Sequence, residues 1–213
     1  MKIDFVSDVS CPWCVIGLKA LEQAISTLPE LAVEIEFQPF ELNPAMAPEG
    51  QDISEHLAEK YGASAEQSAG TREAIRQRGE ALGFTFDMGA RSRIYNTFDA
   101  HRLLHWAYEQ SPAQQRALKM ALFTAYFTEG QDPSDHAVLL AAAEAVGLDA
   151  VGAAAVLASD AYTAEVRTAQ ALYRQHGINA VPAVIINNKH LISGGQPVEV
   201  FAQALRQIAA EAA

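Results

Sequence analysis

The chain has 213 residues, of which 50% are hydrophobic and 19% charged, with a formal net charge of −11. That length buries a full core, as one large domain or as a domain carrying a second one inside it. The acidity argues against a nucleic-acid or anionic-membrane partner, because either needs a basic face. The densest basic stretches, Arg72 to Arg78 and Arg91 to Arg93, are short and mixed with polar or acidic residues.

Met1 to Phe5 go straight into strand-like alternation. They lack the basic start and apolar run of a secretory signal, and no later segment has the length and apolarity of a bilayer span. A cytoplasmic protein is expected on that ground. Ile3 to Val9 reads as a buried strand, and the two cysteines follow it in Cys11-Pro12-Trp13-Cys14. From 13 to 28 apolar groups recur at helical spacing through Leu18, Leu21, Ile25 and Leu28, until Pro29 ends the pattern. Val33, Ile35 and Phe37 alternate with Glu34, Glu36 and Gln38, the pattern of a strand with one buried face. The two strands of this strand–helix–strand unit should be parallel.

After Asn43-Pro44 the character changes. From Ile53 to about Arg174 the sequence is almost entirely helical, broken at Gly62, Gly83, Gly89, Gly130-Gln131-Asp132-Pro133 and Gly147. The segment 114–127 carries Leu118, Leu122 and Tyr126 on one stripe and Met120, Phe123 and Phe127 on another, as a helix buried inside a bundle does. Strand character returns at Val184-Ile185-Ile186, with a tight turn at Asn187-Asn188 and a returning strand at Leu191-Ile192. Gly194-Gly195 ends that strand, and Pro197 suits the first turn of a last helix to about Ala210. The order β-α-β, helical block, β-β-α is most simply an α/β fold with one sheet and a large all-α insertion. We divide it as residues 1–43 and 171–213 for the core and 44–170 for the inserted helices.

Two cysteines in a cytosolic chain point to catalysis or metal more than to a structural bridge. A disulfide between Cys11 and Cys14 closes too short a loop to constrain the unfolded chain. Zinc is the stronger rival, since His101 and His105 lie one helical turn apart and would complete a tetrahedral set with the cysteines. In the redox reading Cys11 caps a helix whose first residue is Pro12. The positive end of that helix favours a thiolate, the nucleophile of exchange. Cys11 then attacks a disulfide and Cys14 resolves the mixed disulfide. Ala180-Val181-Pro182 supplies the second half of the pattern: a proline entering a central strand is tolerated only at its first residue.

With these pieces in place the chain resembles the DsbA-like thioredoxin family, and within it the FrnE-like cytoplasmic branch. The resemblance rests on Asp8-Val9-Ser10-Cys11-Pro12-Trp13-Cys14, Asn96 to Leu103, Phe123 to Gly130, Ile178-Asn179-Ala180-Val181-Pro182 and Ser193-Gly194-Gly195-Gln196. It implies a thioredoxin-like fold interrupted by helices and a dithiol–disulfide oxidoreductase or isomerase with Cys11 and Cys14 as its redox pair. It also implies a cis Pro182 that faces the cysteines and presents the backbone around Val181 to substrate. Trp13 is expected to cover the sulfurs, Asp8 to relay a proton or shape the loop, and His101 and Arg102 to line the cleft below the insertion. No metal or organic cofactor is required, glutathione is a candidate reductant, and substrates are protein or small-molecule disulfides and thiols. Strongly oxidising periplasmic members carry a histidine between the cysteines. Pro12-Trp13 lacks that charge, so a less oxidising pair is expected. The same superfamily holds glutathione-dependent enzymes, the kappa-class transferases and 2-hydroxychromene-2-carboxylate isomerases, with serine in place of Cys11. That activity is the alternative, and a zinc or scaffold protein the second.

Overall fold

The structure is a computed structural model that describes residues 1–211. Its main sheet has four strands, β1 (Lys2–Ser7), β2 (Glu34–Pro39), β5 (Ala183–Ile186) and β6 (His190–Ser193), in the order β2-β1-β5-β6. β1 and β2 run parallel on either side of helix α1 (Pro12–Ser26), as a crossover connection requires, while β5 is antiparallel to β1 and β6 to β5. The hairpin between β5 and β6 turns on Asn187 and Asn188, both at positive φ (52° and 54°), where asparagine is among the few tolerated residues.

Strand alternation assigns the two faces of the sheet. Ile3, Phe5, Val184 and Ile186 pack against Leu18 and Leu21 of α1 and against Phe201, Leu205 and Ile208 of the last helix, α9 (Val198–Glu211). Val6 and Ala183 point the other way, onto Tyr173 of α8 (Thr163–Gln175) together with Phe40 and Ile178. β2 is an edge strand, and its exposed ladder is closed by one side chain: the Gln115 amide accepts from Phe37 N (2.9 Å) and donates to Phe37 O (3.0 Å).

Between the two parts of the sheet lie α2 (Ile53–Tyr61), α3 (Ala65–Ala81), α4 (Phe98–Gln110), α5 (Pro112–Phe127), α6 (His136–Ala145) and α7 (Ala150–Leu157). This block also holds a pairing too short for alternation to signal, β3 (Gln51–Asp52) against β4 (Arg93–Ile94). α5 is the shared element. Its Leu118 and Leu122 join a second core with Leu103, Trp106, Leu139 and Val156, whereas Phe123 and Phe127 join the sheet-side core. Tyr126 goes with Phe123, not with Leu118 and Leu122 as the sequence stripes suggested, and its hydroxyl donates to Arg93 O (2.9 Å). Among the described residues no helix is long and apolar enough to cross a membrane.

Candidate active site

β1 delivers the chain to a tight loop, Asp8-Val9-Ser10, in which Cys11 N donates to Asp8 O (3.2 Å). Cys11 then caps α1 with extended backbone, and Pro12 is the first helical residue. No side chain caps this helix, so its positive end is open toward Cys11. Cys14 N donates to Cys11 O (3.1 Å), which folds the second thiol in behind the first. Both thiols are free; Cys11 is 3% exposed and Cys14 is fully buried. Burial pushes the Cys14 thiol well above its ordinary value, and its bond with Cys11 and the nearby Cys11 charge add to the rise.

The Val181–Pro182 peptide is cis, and Cys11 Sγ donates to Val181 O at 3.6 Å. Two glycines make this approach possible. A Cβ on Gly17 would stand 2.9 Å from Pro182 Cγ and 3.3 Å from Gly195 Cα, and one on Gly195 would stand 3.0 Å from Trp13 O. Trp13 is half-buried at the rim, with the Arg78 guanidinium 5.3 Å over its ring. Arg91, stacked on Tyr126 and Phe127 at 5.2 and 5.1 Å, lies within electrostatic reach of Cys11, as does Tyr61 at the end of α2.

Beneath the thiols sits a buried polar group. Asp8 Oδ1 accepts from Ser10 N (3.2 Å) and Oδ2 from Leu42 N (2.7 Å), while His101 Nε2 stands 3.6 Å from Oδ1. Burial drives the Asp8 carboxyl up, but His101, the Leu42 N–H and Thr97 outweigh it and hold the group below its usual value. Asp8 is therefore favoured as a carboxylate, bonded to the N–H groups of Ser10 and Leu42. His101 is brought to the site through Asp8. Arg102 is not: its guanidinium turns into the helical block, to Asp99 and to the carbonyls of Val156, Ser159 and Ala161. His105 packs on Tyr162, with ring centroids 5.2 Å apart. The two histidines and two cysteines thus do not converge, and no group of three or more metal-ligating side chains occurs among the described residues.

One residue of this site was missed in the sequence. Lys119 of α5 is fully buried, its Nζ has no hydrogen-bond partner, and the charges it feels most are those of Cys14, Asp8 and Cys11 in that order. Burial lowers its ammonium to about 8 against the pull of those charges. A signal existed: Lys119 shares the apolar i, i+4, i+7 stripe of Phe123 and Tyr126.

The chain matches a family model described as a DSBA-like thioredoxin domain over residues 2–206. A protein described as a probable DsbA oxidoreductase from Streptomyces coelicolor is 35% identical and superposes with a TM-score of 0.92, over 99% of this chain and 91% of its own. The uncharacterized protein YwbO of Bacillus subtilis (strain 168) is 29% identical over 206 residues, 96% of either chain. The cytosolic disulfide reductase DsbM from Pseudomonas aeruginosa, 15% identical, shares the fold with a TM-score of 0.68 over 98% of this chain and 100% of that one.

Proposed function

From the premise that the chain belongs to the DsbA-like thioredoxin family, we propose that it is a thiol–disulfide oxidoreductase working through Cys11 and Cys14. The observation that carries this is the meeting of three parts: the Cys11 sulfur at an uncapped helix N-terminus, Val181 O at 3.6 Å beside Pro182, and a buried thiol one turn behind.

In the reducing direction the Cys11 thiolate attacks one sulfur of a substrate disulfide, and the other sulfur leaves as a thiolate that takes a proton. Cys14 then attacks Cys11, the second substrate thiol departs, and the Cys11–Cys14 disulfide remains. In the oxidising direction the same steps run backwards. Trp13 and the backbone at Val181 and Pro182 hold the substrate chain against the pair, while Asp8, fixed by the N–H groups of Ser10 and Leu42, sets the loop that presents Cys11. The chemistry calls for no metal or organic cofactor, and glutathione is a candidate reductant. Substrates are protein or small-molecule disulfides and thiols. We assign the chain to the FrnE-like cytoplasmic branch, with a pair less oxidising than that of periplasmic members, because Pro12-Trp13 adds no positive charge beside Cys11.

Insulin reduction or dithiol exchange tests the reading. Cys11→Ser should lower the rate on the order of a thousandfold or more, as loss of a nucleophile does, and Cys14→Ala should accumulate a mixed disulfide on Cys11. Exchange that survives Cys11→Ser overturns the mechanism. Full turnover of a glutathione conjugate or isomerisation substrate in Cys14→Ala would favour the transferase or isomerase class instead.

A further inference from the structure

None of these exchange steps uses Lys119, and its position is costly. An ammonium taken fully out of water is strongly disfavoured unless it is paired. The ring of Phe123, 5.1 Å from Nζ, returns only a small part of that cost. Phe123 itself, packed in the same core as Cys11 and Cys14, offers no acceptor. The anion nearest in kind, Asp8, is already bonded to Ser10 N and Leu42 N with His101 beside it. What remains without a counter-charge in this pocket is Cys14, a buried thiol that must ionise for the second step and whose charge Lys119 feels more than any other.

Resting on the exchange reading, we propose that the Lys119 ammonium is the counter-charge against which the Cys14 thiolate forms when it resolves the mixed disulfide. In that step the Cys14 S–H bond gives up its proton and its electron pair forms the bond to Cys11 Sγ. The bond between Cys11 and the substrate breaks, and the departing substrate thiolate takes up a proton. Lys119 does not exchange atoms with either sulfur; it is a positioning residue, acting through charge. The groups that face it are Cys14 and Cys11 at the start of α1 and Asp8 in the loop after β1, with His101 of α4 behind Asp8. Of these, the Asp8 anion favours the ammonium and the two sulfurs receive its effect.

The consequence is a particular pH profile. Below the lysine's own ionisation, near pH 8, resolution accelerates with pH as more Cys14 thiolate forms. Above it, the state with Lys119 charged and Cys14 ionised holds the same number of protons as the neutral pair. Its population stops growing, and the profile flattens.

The test follows a mixed disulfide by rapid quench as a function of pH in wild type, Lys119→Met and Lys119→Gln. A rise of one unit in the Cys14 ionisation leaves tenfold less thiolate. We expect resolution about tenfold slower in both neutral variants below pH 8, with the first attack by Cys11 affected less, and a rate that keeps rising with pH where the wild type flattens. A role limited to packing would leave the profile unmoved. If neither variant folds, the wild-type profile decides: resolution that keeps rising tenfold per pH unit through pH 8 and 9 overturns the proposal. Wild type that never forms or resolves a mixed disulfide overturns the exchange reading itself. Wild type that cycles beside neutral variants of unchanged resolution rate and pH profile overturns only the role of Lys119.

Discussion

Two cations are buried on neighbouring helices, and they are treated in opposite ways. Arg102 on α4 is 4% exposed and saturated: Nε and Nη2 reach Asp99 Oδ1 at 3.0 and 2.9 Å, and Nη1 reaches Val156 O, Ser159 O and Ala161 O at 2.9, 2.7 and 2.9 Å. Lys119 on α5 is more deeply buried and bonded to nothing. A cation that meets every donor requirement locally, as Arg102 does, ties helices together and has no charge left to act elsewhere. A cation left without a partner beside two thiols is a poor structural device and an available field. The helical block is built for stability and the cysteine pocket is not, so the two regions should respond differently to the same loss of charge.

The largest expected effect tests the structural side. Arg102→Met takes the guanidinium from Asp99 Oδ1 and from three carbonyls, and should destabilise the protein by about 3–5 kcal/mol, read from denaturant midpoints of the reduced protein. The pH profile of its mixed-disulfide resolution should stay that of the wild type. A profile altered as in Lys119→Met would break the comparison, because it would mean that both cations act on the sulfurs.

This contrast was only half legible in the sequence. Cys11-Pro12-Trp13-Cys14 at a strand–helix junction, the parallel pair β1–β2 and the Asn187-Asn188 hairpin are local or periodic features, and local features can be read along a chain. The asymmetry between Arg102 and Lys119 is not local. Arg102 reads as a site residue from its neighbours in sequence, but carbonyls more than fifty positions away take its guanidinium inward. Lys119 reads as a polar interruption of an apolar stripe until α5 is found shared between two cores. Asp8 and His101 meet only because α4 packs under the loop after β1. The pairing of β3 with β4 spans two residues on each side, too few for alternation to register.

A smaller effect separates close packing at the site from helix propensity elsewhere. Gly17→Ala places a methyl 2.9 Å from Pro182 Cγ and 3.3 Å from Gly195 Cα. One of these neighbours must move, at a cost of about 1–3 kcal/mol. Displacing Pro182 lengthens the contact of Cys11 Sγ with Val181 O, and misplacement of this kind should slow exchange about tenfold to a hundredfold. Gly70→Ala, inside α3 with nothing within 4 Å, should instead raise stability by up to about 1 kcal/mol and leave exchange alone. Equal effects at the two positions would show that the approach of Pro182 to α1 is not tight.

The smallest expected effect is a slope. Folding lowers the Lys119 ammonium from its ordinary value of 10.5 to about 8. Between those values the folded protein has released a proton that the unfolded chain still binds. Stability must therefore rise with pH across that window, by at most about 1.4 kcal/mol per pH unit. Cys14 works in the opposite sense, since folding raises its thiol well above 9.0 and the unfolded chain loses that proton first. Its contribution falls away as pH climbs past 9, so the lysine is seen most cleanly between pH 8 and 9. Asp8 stays ionised throughout that interval and adds no slope. In the reduced protein, wild type should gain on Lys119→Met from pH 8 to 9, from a start at which the neutral variant is the more stable by about 1–4 kcal/mol. If the two unfolding curves stay parallel over that unit, the folded and unfolded chains hold the lysine proton equally, and burial without a partner is not what distinguishes the cysteine pocket from the helical block.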